Sequence, residues 1–310
     1  MAAEVESMFY EREKPWHGLG TEVAEALSSE EAIIEAGLNW SVLQESVFTA
    51  MGEKIPGYKV NIRDTDNKVL GVVTSKYKIV QNREAFSFTD KLLGKGVRYE
   101  TAGSLMGGRK IWLLAKLPEK YKIFDDEVVT YLVFSNAHDG SSAVKVAVTP
   151  IRVVCNNTLN LALRTAKRSW SMIHTGSIYD KIHEAESTFF MTSTYMDSLN
   201  KEAEKLYDIK IDDAKVKIFI NMLLPIKYGA SKMQTDNILK LRNDLFLRYQ
   251  YAPDLQGIGK NGYRFVNAVS DYVNHEKPLR FTKSYNENLF IRTMNGNTLV
   301  DKAYQFVLAA

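Results

Sequence analysis

VVTYLVFS-NAHDGSS-AVKVAVTP-IRVVCNNTLNLALRTAKRSW-SMIHTG, residues 128–176, is the stretch from which the fold is read. Residues 128–135 are almost continuously apolar and rich in β-branched and aromatic side chains, the pattern of a strand covered on both faces. Residues 143–149 alternate, with Val144, Val146 and Val148 on one side and Ala143, Lys145 and Ala147 on the other. Asp139-Gly140 between them signals a hairpin, because glycine accepts the positive φ that tight turns require. Pro150 has no N–H to give a ladder, so the second strand is predicted to end or bulge there. Asn156 or Asn157 then caps a predicted helix with the apolar stripe Leu159, Ala162, Leu163 and Ala166. Its other side carries Asn160, Arg164, Lys167 and Arg168.

Upstream, the chain reads as further hairpins with helices inserted between them. Ser28 and Glu31 form a capping box for a helix over 28–36, stopped by Gly37. A strand over 40–48 precedes a hairpin of 58–63 and 69–74, turning at Asp64-Thr65-Asp66-Asn67. Asn82 is the expected cap of a helix that runs to Leu93 and ends at Gly94. Strands over 97–104 and 109–117 turn at Gly107-Gly108. The pattern changes near Thr175. Ile178, Ile182, Ala185, Phe189, Met196, Leu199, Ala203 and Leu206 recur at spacings of three and four, interrupted by Thr192. Helices are predicted over 214–224, 233–251, 263–275 and 286–308, punctuated by Pro225, Pro253 and Pro278. The expected class is therefore α+β: a mostly antiparallel sheet with inserted helices over 1–175, followed by an all-helical region over 176–310.

Composition narrows the function classes. In 310 residues, 45% hydrophobic and 25% charged content are ordinary globular values. A net charge of +3 permits an anionic partner without requiring one. The lone Cys155 excludes an intrachain disulfide and fits a reducing, cytosolic setting. It also leaves no thiol set for zinc, and the five scattered histidines form no ligand spacing, so neither metal nor cofactor is expected. The N-terminal residues are charged and lack the apolar core of a signal peptide, and no apolar run reaches membrane-spanning length.

Several separated motifs, PWHGLG at 15–20, SNAHDGSSAVKV at 135–146, RVVCNNTL at 152–159, SMIHTG at 171–176 and NAVSDYVNH at 267–275, occur in order. With them the chain resembles a family of phage- and plasmid-borne proteins known as domain-of-unknown-function family 932. The resemblance implies a mobile-element protein working in a bacterial cell and supplies no catalytic mechanism. Ile173 stands where that family often places an arginine before the histidine, so an anion-binding charge would have to come from Lys167 or Arg168.

Three groups of residues compete as sites. Asn136, His138, Asp139, Ser141 and Ser142, with Cys155 and His174, contain acid–base and nucleophile types. The plainer account is a hairpin turn beside a buried thiol. Gly257-Ile258-Gly259-Lys260-Asn261-Gly262 matches a dinucleotide fingerprint by spacing, yet it lies between helices and reads as an interhelical loop. The third group is basic. Alternation puts Lys110, Trp112, Leu114 and Lys116 on one strand face, Lys145 continues it on a neighbour, and Arg164, Lys167, Arg168 and Trp170 follow on the predicted helix. Cations that track phosphates and aromatics that stack on bases are what single-stranded nucleic acid demands. The order of four strands and a helix over 97–168 also looks like the core of single-strand annealing recombinases. The expected function is non-catalytic nucleic-acid association, with a modulator of a host protein, such as a defence factor, as the alternative. The heptad stripe over 178–206 either joins subunits into a homo-oligomer or packs within its own chain.

Overall fold

The computed structural model describes residues 5–11, 20–94, 97–124, 126–152, 157–158, 169–275 and 297–310. A large sheet has the strand order β10-β9-β8-β7-β6-β1-β2, with β11 also paired to β9. Its strands are β1 Val5–Tyr10, β2 Thr21–Glu22, β6 Tyr99–Leu105, β7 Lys110–Ile123, β8 Asp126–Ala137, β9 Val144–Arg152, β10 Asn157–Thr158 and β11 Ser169–Met172. All described pairings in it are antiparallel except β1 with β2. A small antiparallel sheet contains β3 Val42–Phe48, β4 Lys54–Arg63 and β5 Val69–Thr74.

Helices α1 Ser29–Glu35 and α2 Asn82–Leu93 cover one face of the large sheet, whose core includes Phe88, Tyr99, Leu113, Leu132, Phe134, Val146 and Trp170. The Ser28–Glu31 capping box forms as read: the Glu31 carboxylate accepts from the Ser28 N–H at 2.9 Å. α2 differs at its start. Gln81, not Asn82, precedes the helix, and the Glu84 carboxylate accepts from the Gln81 N–H at 2.7 Å. Pro150 neither ends nor interrupts β9; it lies opposite Thr130. On its other side the described partners of β9 stop at Ala147 and resume at Ile151, so a missing N–H costs the ladder little there. Asn157 belongs to β10 and pairs with Arg152. The predicted helix stripe at Leu159–Ala166 lies outside the described residues.

The chain after Thr175 is largely helical: α3 Ile182–Asp208, α4 Asp213–Leu223, α5 Lys232–Tyr251, α6 Gly262–His275 and α7 Thr298–Leu308. The described positions of the heptad stripe pack inside the chain. Ile178 and Ala185 pack into the sheet's core, whereas Met196, Leu199, Ala203 and Leu206 join a second core with residues from α4 to α7. These side chains are buried within their own chain, the packing alternative for the stripe over 178–206. Thr192, the interruption, is buried with an unbonded hydroxyl. The far end of the β7–β8 hairpin reaches the helices, where Ile123 and Val128 belong to the second core.

Gly262, the last glycine of the fingerprint-like loop, shows what that loop is for. A Cβ there would lie 2.3 Å from Val307 Cγ1 and 2.9 Å from the Leu206 carbonyl, so α6 can start against α7 and α3 only without a side chain. Gly262→Ala is expected to cost about 1–3 kcal/mol, read as a lower urea midpoint. Gly257→Ala, with open space around its backbone, should leave the midpoint nearly unchanged.

Candidate functional site

Strand register settles where the basic strand residues lie. Trp112 faces Ser135, which faces Lys145; Lys110 faces Ala137, and Lys116 faces Tyr131. Lys110, Trp112, Lys116 and Lys145 therefore share one face of the large sheet, the face away from α2. Lys116 Nζ lies 3.9 Å from the Glu100 carboxylate. Trp112 is buried in a satellite cluster with Met8, Tyr10 and Leu105. Trp170 pairs with Val146, so it points to the opposite face, into the main core, stacked on Phe88 at 5.9 Å between ring centroids. The two tryptophans are thus on different sides of the sheet. Each is only 8% exposed, and neither offers a face on which a base can stack. Arg164, Lys167, Arg168 and Cys155 lie outside the described residues.

The structure assembles a different set of polar residues, drawn from the motifs at 135–142 and 171–176. On β8, Leu132 and Phe134 face the core, and the same alternation carries Asn136 and His138 inward. His138 is fully buried against Trp40, with the rings edge to face at 5.4 Å. Its Nε2 lies 3.0 Å from Asn82 Oδ1. Asn82 already donates its amide to the Leu38 and Trp40 carbonyls at 3.0 and 3.2 Å, so its oxygen accepts and His138 Nε2 carries the proton. His138 Nδ1 is then a bare lone pair without a partner among the described residues. Asn136 donates to the Val80 carbonyl at 3.0 Å and leaves Oδ1 unbonded. His174 stacks on Tyr77 at 4.3 Å, with Nδ1 3.1 Å from the Lys78 carbonyl. The segment from Tyr77 to Asn82 thus threads past all three side chains.

This cluster is the joint between the two sheets. Asn61 of β4 donates to the His138 carbonyl at 2.6 Å, and Tyr77 Oη donates to the Ala137 carbonyl at 2.7 Å. Gly71 of β5 lies so close that a Cβ would sit 2.6 Å from Asp139 Cα. At the rim of the small sheet, Arg63 forks onto the Glu6 carboxylate with two bonds of 2.9 Å, tying β4 to β1. Burial pushes His138 down to about 3, with His174 adding a smaller like-charge contribution. Burial also lowers His174, opposed by the Lys78 and Ser142 backbone. Asp139 accepts from the Ser141 N–H at 2.9 Å, which closes the turn. A neutral, solvent-excluded His138 cannot take a proton from an external substrate. The arrangement ties the two sheets together. Among the described residues no three His, Cys, Asp or Glu side chains gather as metal ligands.

Two other places lose their appeal as sites. The fingerprint-like loop commits Lys260 to Asp213 at 2.7 Å. A surface cleft of about 600 Å³ beside α1 and α2 is lined by Ser28, Ser87, Asp90, Lys91 and Arg98. Three of its polar groups are engaged within the chain: Ser28 with Glu31, Asp90 with Tyr99, and Lys91 over the Tyr179 ring.

The described residues therefore define a mixed α+β protein built around a polar joint between two sheets, with no helix long and apolar enough to cross a membrane among them. A model of the family described as domain of unknown function (DUF932) matches residues 69–293, most of the chain, and the protein belongs to that family. No curated protein and no solved structure matches it.

Proposed function

We propose that this is a non-catalytic protein of phage or plasmid origin that associates with single-stranded nucleic acid inside a bacterial cell. The observation that carries the reading is charge. From Gly140 to Tyr179 the chain has Lys145, Arg152, Arg164, Lys167 and Arg168 and no acidic residue. Strand register sets Lys145 on the same sheet face as Lys110 and Lys116. A purely solvated surface more often mixes both signs. With both tryptophans buried, contact is to phosphates, and binding is tolerant of base sequence.

Labelled single-stranded DNA and RNA, titrated across a salt series, test this. Arg164, Lys167 and Arg168 changed together to alanine should flatten the log–log salt slope by roughly two units, from the single-strand value of about 0.7 per phosphate contact. No binding by the wild type at low salt, or an equal slope in a folded triple variant, would end the nucleic-acid reading.

A second reading, a modulator that binds a host protein, is favoured by the apolar side chains that the α4–α5 hairpin leaves in solvent, Ile218, Met222 and Met233 among them.

A further inference from the structure

The α4–α5 hairpin is half in the helical core and half outside it. α4 buries Val216, Phe219, Ile220 and Leu223. Arg242 of α5 donates to the Leu224 and Asn221 carbonyls at 2.9 and 3.3 Å, fastening the end of α4 to the middle of α5. The first ten residues of α5, Lys232–Leu241, therefore run on past α4 for roughly 15 Å. Pro225 and Gly229, the latter at φ +75°, shape the loop that returns along this overhang. Almost nothing on it is buried, and apolar side chains stand among its polar ones.

Ile218 and Met222 stand one turn apart on the outer side of α4, 56% and 52% exposed. Tyr228 at the tip is fully exposed, and Met233 at the start of α5 is 72% exposed. Apolar side chains on ordered helices are a cost in water unless something covers them. Charge states what that is. Between Asp213 and Asp236 the chain carries Lys215, Lys217, Lys227 and Lys232 and no acid. Lys227 and Lys232 enter no ion pair among the described residues. A phosphate backbone would use the lysines and leave Ile218 and Met222 wet. An acidic helix with one apolar face uses both, and methionine side chains adapt to such anchors.

We propose that the outer side of α4 and the overhanging start of α5 dock an acidic amphipathic helix of a protein partner. This rests on the protein-partner reading and is independent of the nucleic-acid one. The probe is a fluorescent 18-residue peptide with leucines at i, i+3, i+4 and i+7 repeats and glutamates elsewhere. Its controls are a scrambled peptide of the same composition and a copy with lysine for glutamate. Wild-type protein should bind the acidic amphipathic peptide at least about tenfold more tightly than either control. Met222→Glu, and Lys227→Glu with Lys232→Glu, should each weaken it by about tenfold or more at unchanged melting temperature, since all three sites are exposed.

Equal binding of the scrambled peptide, or no binding of any, would overturn the proposal. Peptide binding that survives both arm variants would overturn this surface while leaving the protein-partner reading in place. Competition by oligo(dT) or by vesicles with anionic lipid, lost in the same variants, would give the arm to a polyanion and remove both. Self-association abolished by Met222→Glu would assign it to a second copy of this chain and overturn it as well.

Discussion

Asn82→Ala is expected to destabilise the protein by about 3 kcal/mol, more than any exposed substitution. Asn82 is fully buried and bonds two separate segments through three bonds: the Leu38 and Trp40 carbonyls before β3, and the His138 imidazole after β8. Truncation leaves two carbonyls and one N–H unpaired in a place water does not reach. Each such loss costs about 1–3 kcal/mol, moderated where the site relaxes. The loss should appear as a lower urea midpoint with the slope of the transition kept. Asn82→Asp should be at least as damaging, because a carboxylate oxygen would then face the carbonyls that the amide served. A midpoint within about 0.5 kcal/mol of wild type in the alanine variant would show that the joint does not depend on these bonds.

Mild acid is the second large effect. Unfolded, an imidazole takes its proton near pH 6.5. Folded His138, held at about 3 by burial, stays neutral far below that, and His174 is lowered in the same direction. Across that interval the unfolded chain binds more protons than the folded one, so stability is full above pH 6.5 and is lost as pH falls toward 3. The steepest loss is about 1.4 kcal/mol per pH unit for each such imidazole. Carboxylates held low by partners, such as Glu6 beside Arg63, add to it only below their own ordinary range. Urea midpoints at pH 7, 6 and 5 should fall in sequence. His138→Phe should start lower and fall less steeply, because one of the two imidazoles is gone. An identical slope in that variant would remove His138 as a source. The proton resonances of His138 should likewise hold their neutral positions at pH 5.

Local signals wrote much of this fold openly. Ser28 with Glu31, Asp139 with Gly140, and Pro225 and Pro253 between the C-terminal helices act on neighbours a few residues away, and these elements lie close to where the pattern puts them. Asn82 shows the limit. By local rules it caps a helix, yet its side chain serves carbonyls 42 and 44 residues upstream, which no short pattern encodes. Trp170 shows another. It reads as the end of a basic helix, but it lies in a four-residue strand whose pairing with Val146 closes across a long connection and turns the ring into the core. One part of the joint was legible: Asn136 and His138 continue the inward parity of Leu132 and Phe134, so their burial follows from period two. What they meet there does not.

The reach of the β7–β8 hairpin into the helices has a consequence for synthesis. Ile123 and Val128 are made early, but the core they join also draws on Leu199, Tyr263 and Val269, 71 to 146 residues further along the chain. At a ribosome's pace of roughly 5–20 residues per second, the hairpin tip waits on the order of ten seconds as a bare apolar strand end. During that interval it is open to chaperones and to the same hairpin on neighbouring nascent chains. Slowing translation between the hairpin and α6 should therefore lower the soluble yield of an otherwise unchanged protein.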